Sequence, residues 1–143
     1  DPIPITSNLD RLAKKGIRFD NVFTAEGVCA PSRAALITGV YQNTLGAQQC
    51  VPSLLIGPLQ YLAVPPANVK AFPELLRRSG YYAYIDNKLD YQFSSIAADS
   101  GPFSIWDDEG NNARWCNRNH DQPFFGMINF KETHENGLFP RPA

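Results

Sequence analysis

The chain has no apolar run approaching the roughly 18 residues that a membrane-crossing helix needs, so it offers no candidate span. It has almost no net charge, with 13 Lys and Arg against 14 Asp and Glu. A surface so balanced lacks the basic footprint that nucleic-acid binding requires. Cysteine is scarce. Cys29, Cys50 and Cys116 cannot all pair with one another, form no C-x-x-C and match no zinc spacing. No signal peptide is visible, but the chain opens on Asp1-Pro2 and its single methionine is Met127. The expectation is a processed chain or a fragment of a longer one. There is no internal repeat. Proline, by contrast, occurs 12 times and points to many loops. At 143 residues the chain is long enough for one domain with a real core.

Asn8 is a good helix N-cap, and Leu9, Leu12 and Ala13 share a helical face that Gly16 can close in a left-handed turn. In IRFDNVF (17–23), Ile17 and Phe19 alternate with Arg18 and Asp20, which is the period of a strand. Pro31 then suits the first turn of a helix, SRAALIT, that ends at Gly39. From Val40 to about Val69 no period is sustained, and Pro52, Pro58, Pro65 and Pro66 interrupt the stretch. It reads as a functional loop layer or a surface that packs on something else. PELLRRSG is a short helix between Pro73 and Gly80, and YYAYI (81–85) is a strand. A polar loop follows from Asp86 to Gln92. Residues 93–122 are turn-rich, with Asp107, Asp108 and Glu109 on a solvated edge. FFGMINF (124–130) has the length and apolarity of a buried strand. Helix–strand alternation of this kind predicts α/β architecture, a parallel or mixed sheet with helices on its faces. Three strands would leave apolar faces and open edges, so a larger α/β domain is expected around them.

The stretch VCAPSRAALITG (28–39) carries the chemical signal. A lone cysteine is usually a small buried filler. Cys29, however, is followed by Pro31 and Arg33, and a chance Cys-x-Pro-x-Arg in a chain this long is expected on the order of 0.01 times. The cysteine also sits at the mouth of a helix, where free N–H groups and the dipole favour an anion. Arg33, about one turn in, can reach back toward the same spot.

CAPSRAALITG resembles the signature of the formylglycine-dependent sulfatases of the alkaline-phosphatase-like superfamily, Cys-x-Pro-Ser-Arg followed by a small-residue helix ending in Thr-Gly. Three further segments are similar to that family, in order: NLDRLAKKGIRFDNVFT, PELLRRSGYYAYIDNKLDYQF and QPFFGMINFKETHE. The resemblance implies a fragment of an alkaline-phosphatase-like mixed sheet with helices on both faces. Residues 1–143 would be part of the N-terminal catalytic domain, without its first strand and C-terminal part. It also implies that Cys29 is oxidised by a formylglycine-generating enzyme to an aldehyde that hydrates to a geminal diol. One hydroxyl attacks sulfur; the second drives release of sulfate, which a serine could not do. Pro31 and Arg33 would serve recognition by that enzyme, and Arg33 would hold a diol oxygen or help anchor the metal site. Family members use calcium, with formylglycine 29 as one ligand; the family's Asp and Asn ligands belong to no stretch matched here.

By the same resemblance, Lys88 binds sulfate and His134 contacts sulfate and protonates the leaving group. The common Lys-x-His is here Lys88-Leu89-Asp90. Asp90 would orient Lys88 or meet a substrate amino or hydroxyl group, and Glu135 would tune His134 or read substrate. Asp107 and Asp108 are not assigned as ligands, and His120 is read as a surface residue. The variants NKLDYQF and FKETHE look most like the bacterial branch related to heparan N-sulfatases. The expected substrate is therefore a sulfated glycan or sulfamidated glucosamine, in a periplasmic or secreted enzyme. Two rivals remain: a phosphonate or phosphate monoester hydrolase of the same superfamily, and a non-catalytic remnant in which Cys29 stays a thiol. The isolated chain, short of most of a calcium cage, is expected to show little turnover.

Overall fold

In the computed structural model, which describes residues 5–49, 63–93, 104–130 and 134, the aromatic and β-branched run after Gly80 forms the central strand β1, Tyr82–Asp86. Such side chains lose rotamer freedom in a helix and pack well on a pleated surface. Strand β2 is Asp108–Gly110 and strand β3 is Phe124–Ile128. The order is β2-β1-β3, and both pairings are parallel. Tyr84 lies opposite Asp108 on one side and opposite Gly126 on the other. The described sheet is thus parallel throughout, within the α/β architecture expected.

Four α-helices accompany it among the described residues: α1 (Ser7–Ala13), α2 (Cys29–Thr38), α3 (Gln42–Leu45) and α4 (Phe72–Arg78). Helix α2 begins at Cys29 itself, with Val28 as N-cap in extended conformation, so the cysteine stands inside the first turn rather than before it. Pro31 falls among the positions whose N–H has no intrahelical partner, and the first helical bond runs from the Ser32 N–H to the Val28 carbonyl at 3.2 Å. Gly39, at φ 68°, ends the helix in the left-handed region. The small residues Ala30, Ala34 and Ala35 bury one side of α2 and let the helix lie close on its neighbours. In α4 the Glu74 carboxylate accepts the Ala71 N–H at 2.8 Å, closing the N-terminus that Pro73 opens.

The two faces of the sheet differ. Ala83 and Ile85 of β1 join Ile37, Leu45, Leu89, Tyr91, Phe93, Ile105 and Trp106 in the main core, with Phe125 and Met127 of β3 packed against it. Trp106 stacks on Phe125 with centroids 6.2 Å apart, and Phe72 meets the same ring edge-on at 5.3 Å. Each fully buried Ile contributes roughly 1.5–3 kcal/mol. On the other face Tyr82, Tyr84 and Ala113 form a smaller cluster under the turn at Trp115–Asn117. The Tyr84 ring lies directly over Gly126, and a Cβ added there would fall inside its van der Waals surface. Gly126→Ala is therefore expected to cost about 1–3 kcal/mol, read as a lowered Tm, because a buried ring must shift.

Several expectations change on contact with the structure. Residues 17–23 form no strand. Ile17, Phe19, Val22 and Phe23 are all exposed, and the alternation finds no neighbouring backbone to pair with among the described residues. Asn8 lies within α1; the N-cap is Thr6, whose hydroxyl donates to Asp10 at 3.2 Å. Gly16 does not adopt the left-handed conformation, and Lys14 ends α1 in right-handed geometry. β3 is not evenly buried: Phe124 and Ile128 are about half exposed, as an outer strand with one uncovered face requires. The acidic stretch supplies β2 and is held by specific partners. Asp107 pairs with Arg77 at 2.8 Å and accepts the Ala83 N–H at 2.9 Å. Asp108 accepts from the Tyr82 hydroxyl at 3.0 Å and the Asn117 amide at 2.8 Å. Burial, with Asp108 beside it, raises the Tyr82 hydroxyl well above the ordinary tyrosine range. These contacts tie Asp107 and Asp108 into the fold rather than leaving them on a solvated edge. His120 pairs with Asp121 on the surface.

Candidate active site

Parallel strands place the loops at their carboxyl ends on one edge of the sheet, where ligands of α/β proteins bind. Here that edge gathers three segments distant in sequence: the first turn of α2, the loop 86–91 after β1, and Asn129 after β3. The turn out of β1 passes through Asn87 at φ 72°, a left-handed conformation that asparagine tolerates better than most residues. That reversal carries Lys88 and Asp90 back toward α2.

The Cys29 thiol donates to Asp90 Oδ2 at 3.1 Å. The same oxygen lies 3.3 Å from Lys88 Nζ. Both charged side chains are three-quarters or more buried, so their attraction is screened less than that of a surface pair. One carboxylate oxygen is thus shared between the sulfur of residue 29 and the ammonium of Lys88. The geometry brings together three of the residues singled out in the sequence.

Arg33 reaches the same place from one turn further along α2, but its guanidinium binds the walls. Nη1 donates to Asn129 Oδ1 at 3.0 Å. Nη2 donates to the Lys88 main-chain carbonyl at 2.8 Å and to the Tyr91 hydroxyl at 3.3 Å, with Met127 Sδ at 3.8 Å. Its carbon sits 5.2 Å from the centre of the Tyr91 ring. Nε is buried without a hydrogen-bond partner among the described residues. Burial raises the Tyr91 hydroxyl above its ordinary range, more than the Arg33 charge lowers it, so Tyr91 is a neutral phenol there.

His134, in the segment that follows β3, is half-buried. Glu135 and Cys50 lie outside the described residues. Among the described residues no group of three or more His, Cys, Asp and Glu side chains could hold a metal ion. Asp90, the carboxylate beside Cys29, is already matched by Lys88. Calcium takes about 6–8 oxygen ligands, so these residues alone do not build its cage.

Sequence reasoning missed Asn129 and Tyr91. Asn129 had a signal: a lone amide directly after an apolar run, at the strand end where such sheets build sites. Tyr91 had none, because its burial comes from contacts with residues far away in sequence.

Comparison with known proteins identifies the family. A protein-family model described as Sulfatase matches residues 1–142. The chain is 44% identical over 142 residues to the ulvan-active sulfatase of Formosa agariphila, covering 97% of this chain and 23% of that protein. It is 34% identical over 96 residues to the human N-acetylgalactosamine-6-sulfatase, covering 62% of this chain and 17% of that protein. A third relative, the N-acetylglucosamine-6-O-sulfatase of Bacteroides thetaiotaomicron, is 32% identical over 76 residues, covering 53% of this chain and 12% of that protein. The chain spans less than a quarter of the length of these curated relatives. No solved structure matches it significantly. No helix among the described residues is long and apolar enough to cross a membrane.

Proposed function

Because the chain belongs to the sulfatase family, we propose that it carries the reacting side chain and the sulfate-facing lysine of an enzyme that hydrolyses the sulfate groups of a glycan. In this reading residues 1–143 are the N-terminal catalytic part of a longer sulfatase. The apolar side chains left exposed at 17–23 and on β3 would then be covered by the remainder of the enzyme. The observation that carries the reading is the placement of Cys29: first residue of a ten-residue helix, within hydrogen-bond reach of Asp90, with Lys88 on the same oxygen.

Modified to formylglycine, residue 29 would supply a hydrated aldehyde whose two hydroxyls permit both capture and release of a sulfuryl group. The neighbouring residues have their own tasks. Negative charge spreads over the sulfuryl oxygens during transfer, and Lys88, backed by the N-terminus of α2, would neutralise it. Asp90 holds the ammonium toward residue 29 and would meet a hydroxyl or amino group next to the sulfate. His134 would contact sulfate and give the departing oxygen or nitrogen its proton, and Glu135 would steady that imidazole or read substrate. Arg33 would keep Lys88 in range. Calcium, implied by the family, would take one ligand from this chain, residue 29 as formylglycine. The names of the relatives mention ulvan, N-acetylgalactosamine 6-sulfate and N-acetylglucosamine 6-O-sulfate, which supports a sulfated glycan as the substrate class. A periplasmic or secreted location would suit such a polymer.

The full-length protein, produced in a host with a formylglycine-generating enzyme, is expected to hydrolyse an aryl sulfate at least about 100-fold faster in kcat/KM than the matching aryl phosphate. Mass spectrometry of the peptide across residue 29 should show the aldehyde. A preference for phosphate would move the enzyme to the phosphomonoester branch, and an unmodified thiol with no turnover would leave a non-catalytic relative.

A further inference from the structure

We propose that Asn129 is a positioning residue: its side-chain amide locks the turn out of β1 so that Lys88 is held toward residue 29. The inference goes beyond the sulfatase reading: Asn129 lies in the histidine segment QPFFGMINFKETHE, but that reading gives it no role. Asn129 Nδ2 donates to the Asp86 main-chain carbonyl, the last of β1, at 2.7 Å. Asn129 Oδ1 accepts from Arg33 Nη1 at 3.0 Å. The two bonds fix the orientation of the amide, because guanidinium can only donate and a carbonyl can only accept. A third bond closes the frame: Asn87 Nδ2 donates to the Asn129 main-chain carbonyl at 3.3 Å, at the residue whose backbone is left-handed. Arg33 then uses its other nitrogen to hold the Lys88 carbonyl at 2.8 Å.

The five residues form a closed bracket from β1 through β3 and α2 to Lys88. The task requires a short side chain that donates at one end and accepts at the other. Aspartate cannot donate to the Asp86 carbonyl, leucine does neither, and glutamine is a methylene too long. Asn129 touches neither Cys29 nor Lys88 Nζ in these contacts, so it acts through Arg33 and the loop. Misplacing a reacting group by about 1 Å can cost on the order of 100-fold, which sets the scale of the effect.

The test uses the full-length protein carrying Asn129→Ala and the isosteric Asn129→Asp, each alone and combined with Lys88→Ala. Hydrogen exchange of backbone amides is expected to rise about tenfold at residues 87–91, with β1 and α2 unchanged. Aryl sulfate kcat/KM is expected to fall about 10- to 100-fold when Lys88 is present and less than about threefold when it is absent. Asn129→Asp, which keeps the acceptor and the shape, should loosen the same residues and reads the donor bond even where alanine fails to fold. Equal losses in both lysine backgrounds, unchanged exchange at 87–91, or loosening spread through the sheet would each overturn the proposal. Should the parent protein release no sulfate, the sulfatase reading fails, and the exchange measurement alone decides the role of Asn129.

Discussion

Cys29→Ser in the full-length protein is expected to release no more than one equivalent of alcohol per site and then stop. Steady turnover falls by at least about 1,000-fold. A serine hydroxyl at the first position of α2 can occupy nearly the place of the thiol, 3.1 Å from Asp90, and can attack sulfur once. It then carries the sulfate as an ester with no second hydroxyl to expel it. The arrested protein should be heavier by about 80 Da at that peptide, the mass of one SO3, and the adduct should survive dialysis. Cys29→Ala, with nothing to attack, should give neither the burst nor the adduct. A serine variant that keeps turning over would mean that residue 29 is not the group that accepts sulfate.

The second large effect is expected at Arg33. Its guanidinium ties α2 to the Lys88 carbonyl and to Asn129, and it lies over Tyr91. Hydrogen bonds from a charged donor are each worth about 1.5–3 kcal/mol. Arg33→Ala leaves the Lys88 carbonyl and the Asn129 oxygen without their donor in a partly buried place. We expect a loss of about 3 kcal/mol in stability and of at least about 100-fold in kcat/KM. Arg33→Lys keeps the charge but has one nitrogen where two are used, and an ammonium cannot reproduce the planar fork that reaches both strand ends. It should recover most of the stability and little of the rate. Chemical denaturation and aryl sulfate kinetics separate the two. Full rescue of turnover by lysine would show that charge alone matters at this position.

The legible parts of the fold were those fixed by local chemistry. Pro31 inside the first turn and Gly39 in the left-handed cap delimit α2 with no help from the rest of the molecule. The aromatic run that became β1 and the apolar run that became β3 were read as strands to within a residue or two. Residues 17–23 show the opposite case, a strand period without a partner to pair with. β2 is the converse: Asp108–Gly110 has no strand composition and is recruited by the backbone of β1. The loop 86–92 reads as a polar loop leaving the strand, yet Leu89, Tyr91 and Gln92 are buried, because the chain folds back toward α2. The segments single out Cys29, Lys88 and Asp90 and suggest that Asp90 orients Lys88, a contact the structure has; that the Cys29 thiol shares the same oxygen is not foreseeable. Neither is the turn of Arg33 away from the thiol and onto the loop.

The bonds that define this site join residues 61, 55 and 96 positions apart. Only the Lys88–Asp90 pair lies within one stretch of polypeptide. The others form only after β1 and β3 have found each other, since long-range closure must be completed before it is rewarded. The geometry around Cys29 is therefore a late arrival in folding and an early casualty of any fluctuation that parts those two strands. An alteration in the sheet interior, remote from Cys29, can disperse these contacts while the helices still look intact by circular dichroism.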